Sequence, residues 1–141
     1  MKRLILAMFM IFAISVTANA QSYIYQAKFF AMKMVNSNGY WTDWSDWERS
    51  DVRLKIDFNE VSGQPVVVDV YTEMKQKYVV IGYVKSYTDA SGGKQSEYRV
   101  IDQDDDVGKL RIRLEKNGNS QLYIEFNDVM WVYSGLTKMN K

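Results

Sequence analysis

Between Asp51 and Phe58 the chain alternates without a break. Asp51, Arg53, Lys55 and Asp57 are charged, and Val52, Leu54, Ile56 and Phe58 are apolar. A period of two belongs to an extended strand with one face in a core and the other in water. Wound into a helix, the same residues would put charge on every side. Comparable strand-like segments occupy 22–35, 65–71, 78–87, 96–102, 109–116, 121–127 and 129–134, and pairing of the central segment is expected to begin near Asp46. That makes eight strands. Polar connectors at 36–39, 60–64, 73–77, 89–94, 102–108 and 117–119 separate them, most rich in Gly, Asn, Asp or Ser. Pro65 stands where a strand tolerates proline, at its first position, and Gly82 marks a bulge. No amphipathic helix, repeat or low-complexity tract interrupts the series.

Short connections between successive strands imply antiparallel neighbours. The expected fold is therefore all-β, a single-domain antiparallel meander of about eight strands. A lipocalin-like up-and-down barrel is favoured over a two-layer sandwich, because closure removes edge strands. Val52, Leu54, Ile56 and Phe58 are expected inward, with Leu110, Ile112 and Leu114, and with Leu122, Ile124 and Phe126. The tail, 137–141, is expected to fray.

Residues 1–20 read as a secretory signal. Lys2 and Arg3 precede an apolar run from Leu4 to Val16, too short to span a bilayer, and Ala18-Asn19-Ala20 is a small-x-small cleavage site. Cleavage would leave 21–141 as one domain, and loss of Lys2 and Arg3 would take the formal charge from +1 to −1. No cysteine follows the apolar run, so no lipoprotein anchor is expected, nor an integral membrane segment after cleavage. The expectation is export to the periplasm or the medium. A near-neutral mature chain has no global field to recruit nucleic acid.

The chain contains neither histidine nor cysteine. That closes Ser-His-Asp and Cys-His catalysis, and every metal or haem site that needs imidazole or thiolate. A carboxylate pair is the main remaining route, but glutamates 48, 60, 73, 97, 115 and 125 are scattered and no spacing selects two of them. A non-enzymatic protein without a cofactor is expected.

The least ordinary surface is Trp41-Thr42-Asp43-Trp44-Ser45-Asp46-Trp47. In a regular strand Trp44 would face away from Trp41 and Trp47. A polyproline II-like stretch, at three residues per turn, puts all three on one side, and a bulge could re-aim one of them. Two readings compete. Either two tryptophans are core and one caps a barrel end, which the weight of aromatics in small cores favours, or the three form a row that stacks on sugar rings. The spacing resembles the Trp–Arg ladders of thrombospondin repeats and WSxWS boxes. It lacks the cysteines of the first, and Glu48 replaces the serine of the second. If Arg111 and Arg113 lie across from Trp41 and Trp44, each stacked pair contributes roughly 0.5–2 kcal/mol.

Two charged features remain. Asp102, Asp104 and Asp106 alternate like the start of a calcium loop. Val107 stands where the sharp-turn glycine belongs, however, and Arg113 where the bidentate glutamate belongs, so a solvated turn is the favoured reading and no metal is assigned. Lys109, Arg111, Arg113 and Lys116, with Arg53 and Lys55, form basic stripes that suit either a polyanion or cross-strand pairing with Asp57, Glu97, Glu115 and Glu125. Pairing is favoured, and nucleic acid is not an expected partner.

Several of these features occur together: the exported N-terminus, Trp44-Ser45-Asp46-Trp47, the strand 52–58, Val70-Tyr71, Gln76-Lys77-Tyr78, and the run Gln-Leu-Tyr-Ile-Glu-Phe-Asn-Asp-Val-Met-Trp-Val-Tyr from Gln121 to Tyr133. In this combination the chain resembles a recurring set of short secreted all-β proteins of gut Bacteroidota and their tailed phages. The resemblance implies a compartment and a host, not a reaction, and assigns no residue a role. Three functions fit. The first is a binding module that recognises a cell-surface glycan or protein through Trp41, Trp44 and Trp47. The second is an envelope-modifying or structural interaction protein. The third is a barrel carrier of a small apolar ligand. The oligomeric state is not encoded in any feature identified.

Overall fold

Every alternating segment forms a strand. The computed structural model describes residues 20–139. The expected signal peptide, 1–20, lies outside the described residues except for Ala20, which opens the first strand. The strands are β1 (Ala20–Gln26), β2 (Phe29–Met34), β3 (Glu48–Arg49), β4 (Arg53–Asn59), β5 (Pro65–Tyr71), β6 (Gln76–Thr88), β7 (Lys94–Asp102), β8 (Val107–Leu114), β9 (Ser120–Glu125), β10 (Val129–Ser134) and β11 (Thr137–Lys138). They make one antiparallel sheet in the order β11-β1-β4-β5-β6-β7-β8-β9-β10-β2-β3, curled into a half-barrel, with no helix among the described residues.

Eleven strands replace the expected eight because two long segments are each interrupted once and the tail adds a short strand. The segment 22–35 breaks at Ala27 and Lys28 into β1 and β2. Residues 50–52 separate β3 from β4. Gly135, at φ 65°, and Leu136 separate β10 from β11. The register carries through all three breaks with little or no slip. Tyr25↔Lys138 and Gln26↔Thr137 continue into Ser134↔Phe29 and on to Val129↔Met34 without slipping. On the other flank, Gln26↔Arg53 continues into Phe29↔Arg49 with a slip of one residue. The Ala27 N–H donates to the Val52 carbonyl at 2.9 Å, and the Lys28 N–H to the Ser134 carbonyl at 3.0 Å. The tail is not frayed at Thr137 and Lys138: both pair with β1, and the Lys138 ammonium lies 3.9 Å from the Tyr23 ring centroid.

The concave face carries the core. Leu54 and Ile56 on β4 meet Val68 and Val70 on β5, then Tyr78, Val100, Leu110, Leu122, Ile124 and Tyr133 around the curve. Val52, Phe58, Ile112 and Phe126 pack against it as expected. Each fully buried aliphatic side chain contributes on the order of 1.5–3 kcal/mol. Leu114 departs from expectation and is 46% exposed. It is the last residue of β8, level with Lys94 and Ser120, and so lies beyond the final apolar layer. Gly82 lies in the first of two register shifts in β6, where the sequence placed a bulge.

Candidate functional site

The tryptophan segment runs back along the free edge of β2, and its three-residue spacing has a structural cause. The turn 36–40 is closed by the Asn36 carboxamide, which accepts from the N–H groups of Asn38 and Tyr40. From there the Thr42 N–H donates to the Met34 carbonyl and the Ser45 N–H to the Met32 carbonyl, both at 2.8 Å, and Glu48 pairs with Phe30. Three residues of this segment therefore match every two of β2. The hydroxyls of Thr42 and Ser45 complete the ladder by accepting the N–H groups of Met34 (3.1 Å) and Met32 (2.9 Å). Trp-Thr-Asp and Trp-Ser-Asp are two copies of one unit: a hydroxyl residue that closes both hydrogen bonds, preceded by a tryptophan.

A three-to-two register cancels the alternation that would send Trp44 to the far side. Trp41 and Trp44 share a neighbour instead: the Lys33 ammonium lies 5.5 Å from one ring centroid and 4.9 Å from the other. Successive tryptophans advance by two strand residues, roughly 7 Å. Trp41, Trp44 and Trp47 are 40%, 38% and 52% exposed. The reading of two tryptophans in the core is thereby corrected. The segment lies along the edge of the curled sheet, where its side chains rest on the sheet but are not enclosed by it.

Beneath the tryptophans lies a supporting network on the convex face. Trp44 meets Tyr123 edge-on, with centroids 5.9 Å apart and planes at 67°. The Arg111 guanidinium lies 3.9 Å from the Tyr123 centroid, as the register Arg111↔Tyr123 requires. Arg111 donates to the Gln95 carboxamide oxygen, and Gln95 donates through Nε2 to Asp89 at 2.7 Å. Neither arginine of the expected ladder stacks on a tryptophan: the cation over Trp41 and Trp44 is Lys33, which nothing in the sequence singled out, and Arg111 stacks on Tyr123 instead. Arg111 reaches the tryptophans only at one remove, through the Tyr123 ring that Trp44 meets edge-on. Arg113 does not reach them, because it donates to Asp89 and Glu115, each at 2.8 Å, and to Gln121 at 3.1 Å.

The titrating groups follow these contacts. The hydrogen bond from Arg113 holds the Asp89 carboxyl well below the usual carboxylate range, with further help from Gly93 and Gln95. Burial pushes the Tyr123 phenol up, against the opposing charges of Arg111 and Arg113. Burial also acts to raise Glu97, but its hydrogen bond and charge pairing with Lys109, together with Lys85, outweigh that and hold it low. Burial pushes Tyr133, on the concave face, up to about 12.

The basic stripe is largely engaged. Lys109 and Lys85 both reach Glu97, at 3.2 and 3.6 Å. Arg113–Glu115 at 2.8 Å and Lys55–Asp57 at 3.9 Å run along one strand rather than across two. Glu125, the fourth expected partner, makes no ion pair among the described residues. In the acidic turn, the Asp102 carboxylate accepts the N–H groups of Asp104 and Asp106, both at 2.9 Å, and Asp105 takes a positive φ of 64°. Among the described residues no three acidic side chains converge on a metal-sized site.

Two clefts flank this architecture. One, of about 510 Å³, is lined by Trp41, Val84, Arg99, Lys109, Glu125 and Asn127, among others. The other, of about 450 Å³, is lined by Phe30, Met32, Val52, Val129, Trp131 and Tyr133, with Arg49 and Asp51 also on its wall. No family model, no curated protein and no solved structure matches the chain.

Proposed function

We propose that this chain is a non-catalytic, exported binding module that recognises a cell-surface glycan through Trp41, Trp44 and Trp47. The observation that carries this is the three-to-two register. It leaves Trp41, Trp44 and Trp47 part-exposed at a regular spacing, with Trp41 beside a cleft and Trp44 held by Tyr123 and Lys33. Aromatic faces stack on the apolar faces of sugar rings, and a rigid row loses little entropy when it binds. The test is acrylamide quenching of tryptophan fluorescence, alone and with an oligosaccharide panel. Protection by a glycan, lost in Trp47→Ala at unchanged melting temperature, is the expected result. Quenching that no glycan reduces would remove the proposal.

The scaffold we propose for it is a lipocalin-like up-and-down barrel of eight strands. If β1 with β2, β3 with β4, and β10 with β11 each count as one interrupted strand, residues 20–34 lie between 48–59 and 129–138 and close the wall. The near-continuous register on both flanks supports this over a two-layer sandwich. A second reading, a carrier of a small apolar ligand, is favoured by the apolar cleft that reaches Phe30, Trp131 and Tyr133. It predicts a co-purified ligand in the organic extract of the native protein, and a clean extract by mass spectrometry would count against it.

A further inference from the structure

We infer that the cleft beside Trp41 takes an anionic sugar residue, its carboxylate or sulfate held by Arg99. This rests on the glycan-binding reading above and narrows it to a chemical class. Arg99 is exposed and lines the cleft together with Trp41 and Lys109. Among the described residues its side chain has no hydrogen-bonding or ion-pair partner. The cations of β8 and Lys85 on β6 are engaged: Arg111 with Gln95 and Tyr123, Arg113 with Asp89, Glu115 and Gln121, and Lys85 and Lys109 with Glu97.

Arg99 is also directly opposite Lys109 across the β7–β8 pair, an arrangement of like charges that destabilises a sheet unless an anion bridges it. Glu97 answers Lys109 but not Arg99. Glu125, the carboxylate that lines the same cleft, stands on β9, two strands from Arg99 and so roughly 10 Å away across the sheet. On its other side Arg99 faces Gly82, which carries no side chain and has no atom within 4 Å of the place a Cβ would occupy, so there is open space beside the arginine on that flank. A planar fork with free donors matches a carboxylate or sulfate in two-point contact, and Trp41 and Val84 supply an apolar wall for the ring that carries it. Glu125 and Asn127 remain as acceptors for sugar hydroxyls.

The experiment is titration calorimetry on the full exported chain with two matched pairs: oligogalacturonate against its carboxyl-reduced form, and sulfated against unsulfated dextran oligomers. At least one anionic member is expected to bind about tenfold tighter than its neutral counterpart. The preferred pair distinguishes carboxylate from sulfate. Arg99→Gln is expected to erase that advantage and leave the neutral oligomer within about twofold, and Arg99→Lys to restore only part of it. Equal affinity within both pairs would overturn the inference and leave the tryptophan row standing. Binding of no oligomer at all would remove both. The ligand pairs need no variant, so the result does not depend on how well Arg99→Gln folds.

Discussion

Trp44→Ala tests whether the tryptophan row is supported from below or merely rests on the surface. The substitution removes an edge-on ring pair with Tyr123 at 5.9 Å and a cation–π contact with Lys33 at 4.9 Å. The first contributes about 0.5–1.5 kcal/mol and the second about 0.5–1 kcal/mol at a part-exposed site. Trp44 is 38% exposed, so the covered part of its surface adds to this, and a loss of about 2–3 kcal/mol is expected. At roughly 3–6 °C per kcal/mol for a domain of this size, the melting temperature should fall by about 10 °C without loss of the fold. A double-mutant cycle isolates the contact. Trp44→Ala, Tyr123→Leu and the double variant, unfolded in urea and followed by circular dichroism, should give a coupling of about 0.5–1.5 kcal/mol. Trp47→Ala is the control. It is the most exposed of the three and has no ring or cation–π partner among the described residues, so its cost should stay below about 1 kcal/mol. A coupling under about 0.3 kcal/mol, or a Trp47 variant as unstable as the Trp44 variant, would refute the supported row.

Three further outcomes follow from the same geometry. Asp89→Asn should destabilise the protein at neutral pH by breaking the carboxylate's contact with Arg113. Because the folded-state carboxyl sits below its unfolded value, this contribution is present above the usual carboxylate range and is lost as pH falls, so the gap from the parent protein should narrow between pH 5 and pH 2 in urea melts; a pH-independent gap would contradict the assignment. Gly108→Ala would place a Cβ 2.7 Å from the Phe126 ring and 2.8 Å from the Glu125 carbonyl oxygen, a backbone atom that cannot swing aside; a loss of about 1–3 kcal/mol in thermal unfolding is expected, and a neutral substitution would show that this packing is wrong. In native-state hydrogen exchange, the amides of Ala27 and Lys28 should be protected like those of β4 and β10, because one donates to the Val52 carbonyl and the other to the Ser134 carbonyl; exchange at edge-strand rates would speak against the proposed barrel.

The fold was legible wherever a period of two met a turn signal. Val52 to Phe58, Leu110 with Ile112, and Leu122 to Phe126 face inward because alternation fixes a face once a strand is granted. Leu114 fails the same rule because alternation says which face a side chain takes, not where along the strand the core ends. The breaks at Ala27–Lys28 and at Gly135 were also invisible. Each is set by what lies across the sheet, and only the pairing of β1 with β11, closed by the tail, gives Thr137 and Lys138 a reason to be ordered.

The site was legible as composition but not as geometry, and the reason is register. Trp41, Trp44 and Trp47 stand out in the sequence, yet the shared side of Trp41 and Trp44 depends on Thr42 and Ser45 each making two hydrogen bonds to β2, so that three residues match two. The repeat of Trp, hydroxyl and Asp is the visible trace of that register. Lys33 and Tyr123 carry no such trace, because each reads as an ordinary strand residue until its neighbours are known. Arg111 and Arg113 look interchangeable by alternation. They differ because the partner of one across β9 is an aromatic ring and that of the other is Gln121, with Asp89 in reach. A cation's role on a sheet is therefore decided by its cross-strand partner. By that criterion Arg99, set opposite Lys109 and without an ion-pair partner among the described residues, is the cation on which the anionic-sugar proposal rests.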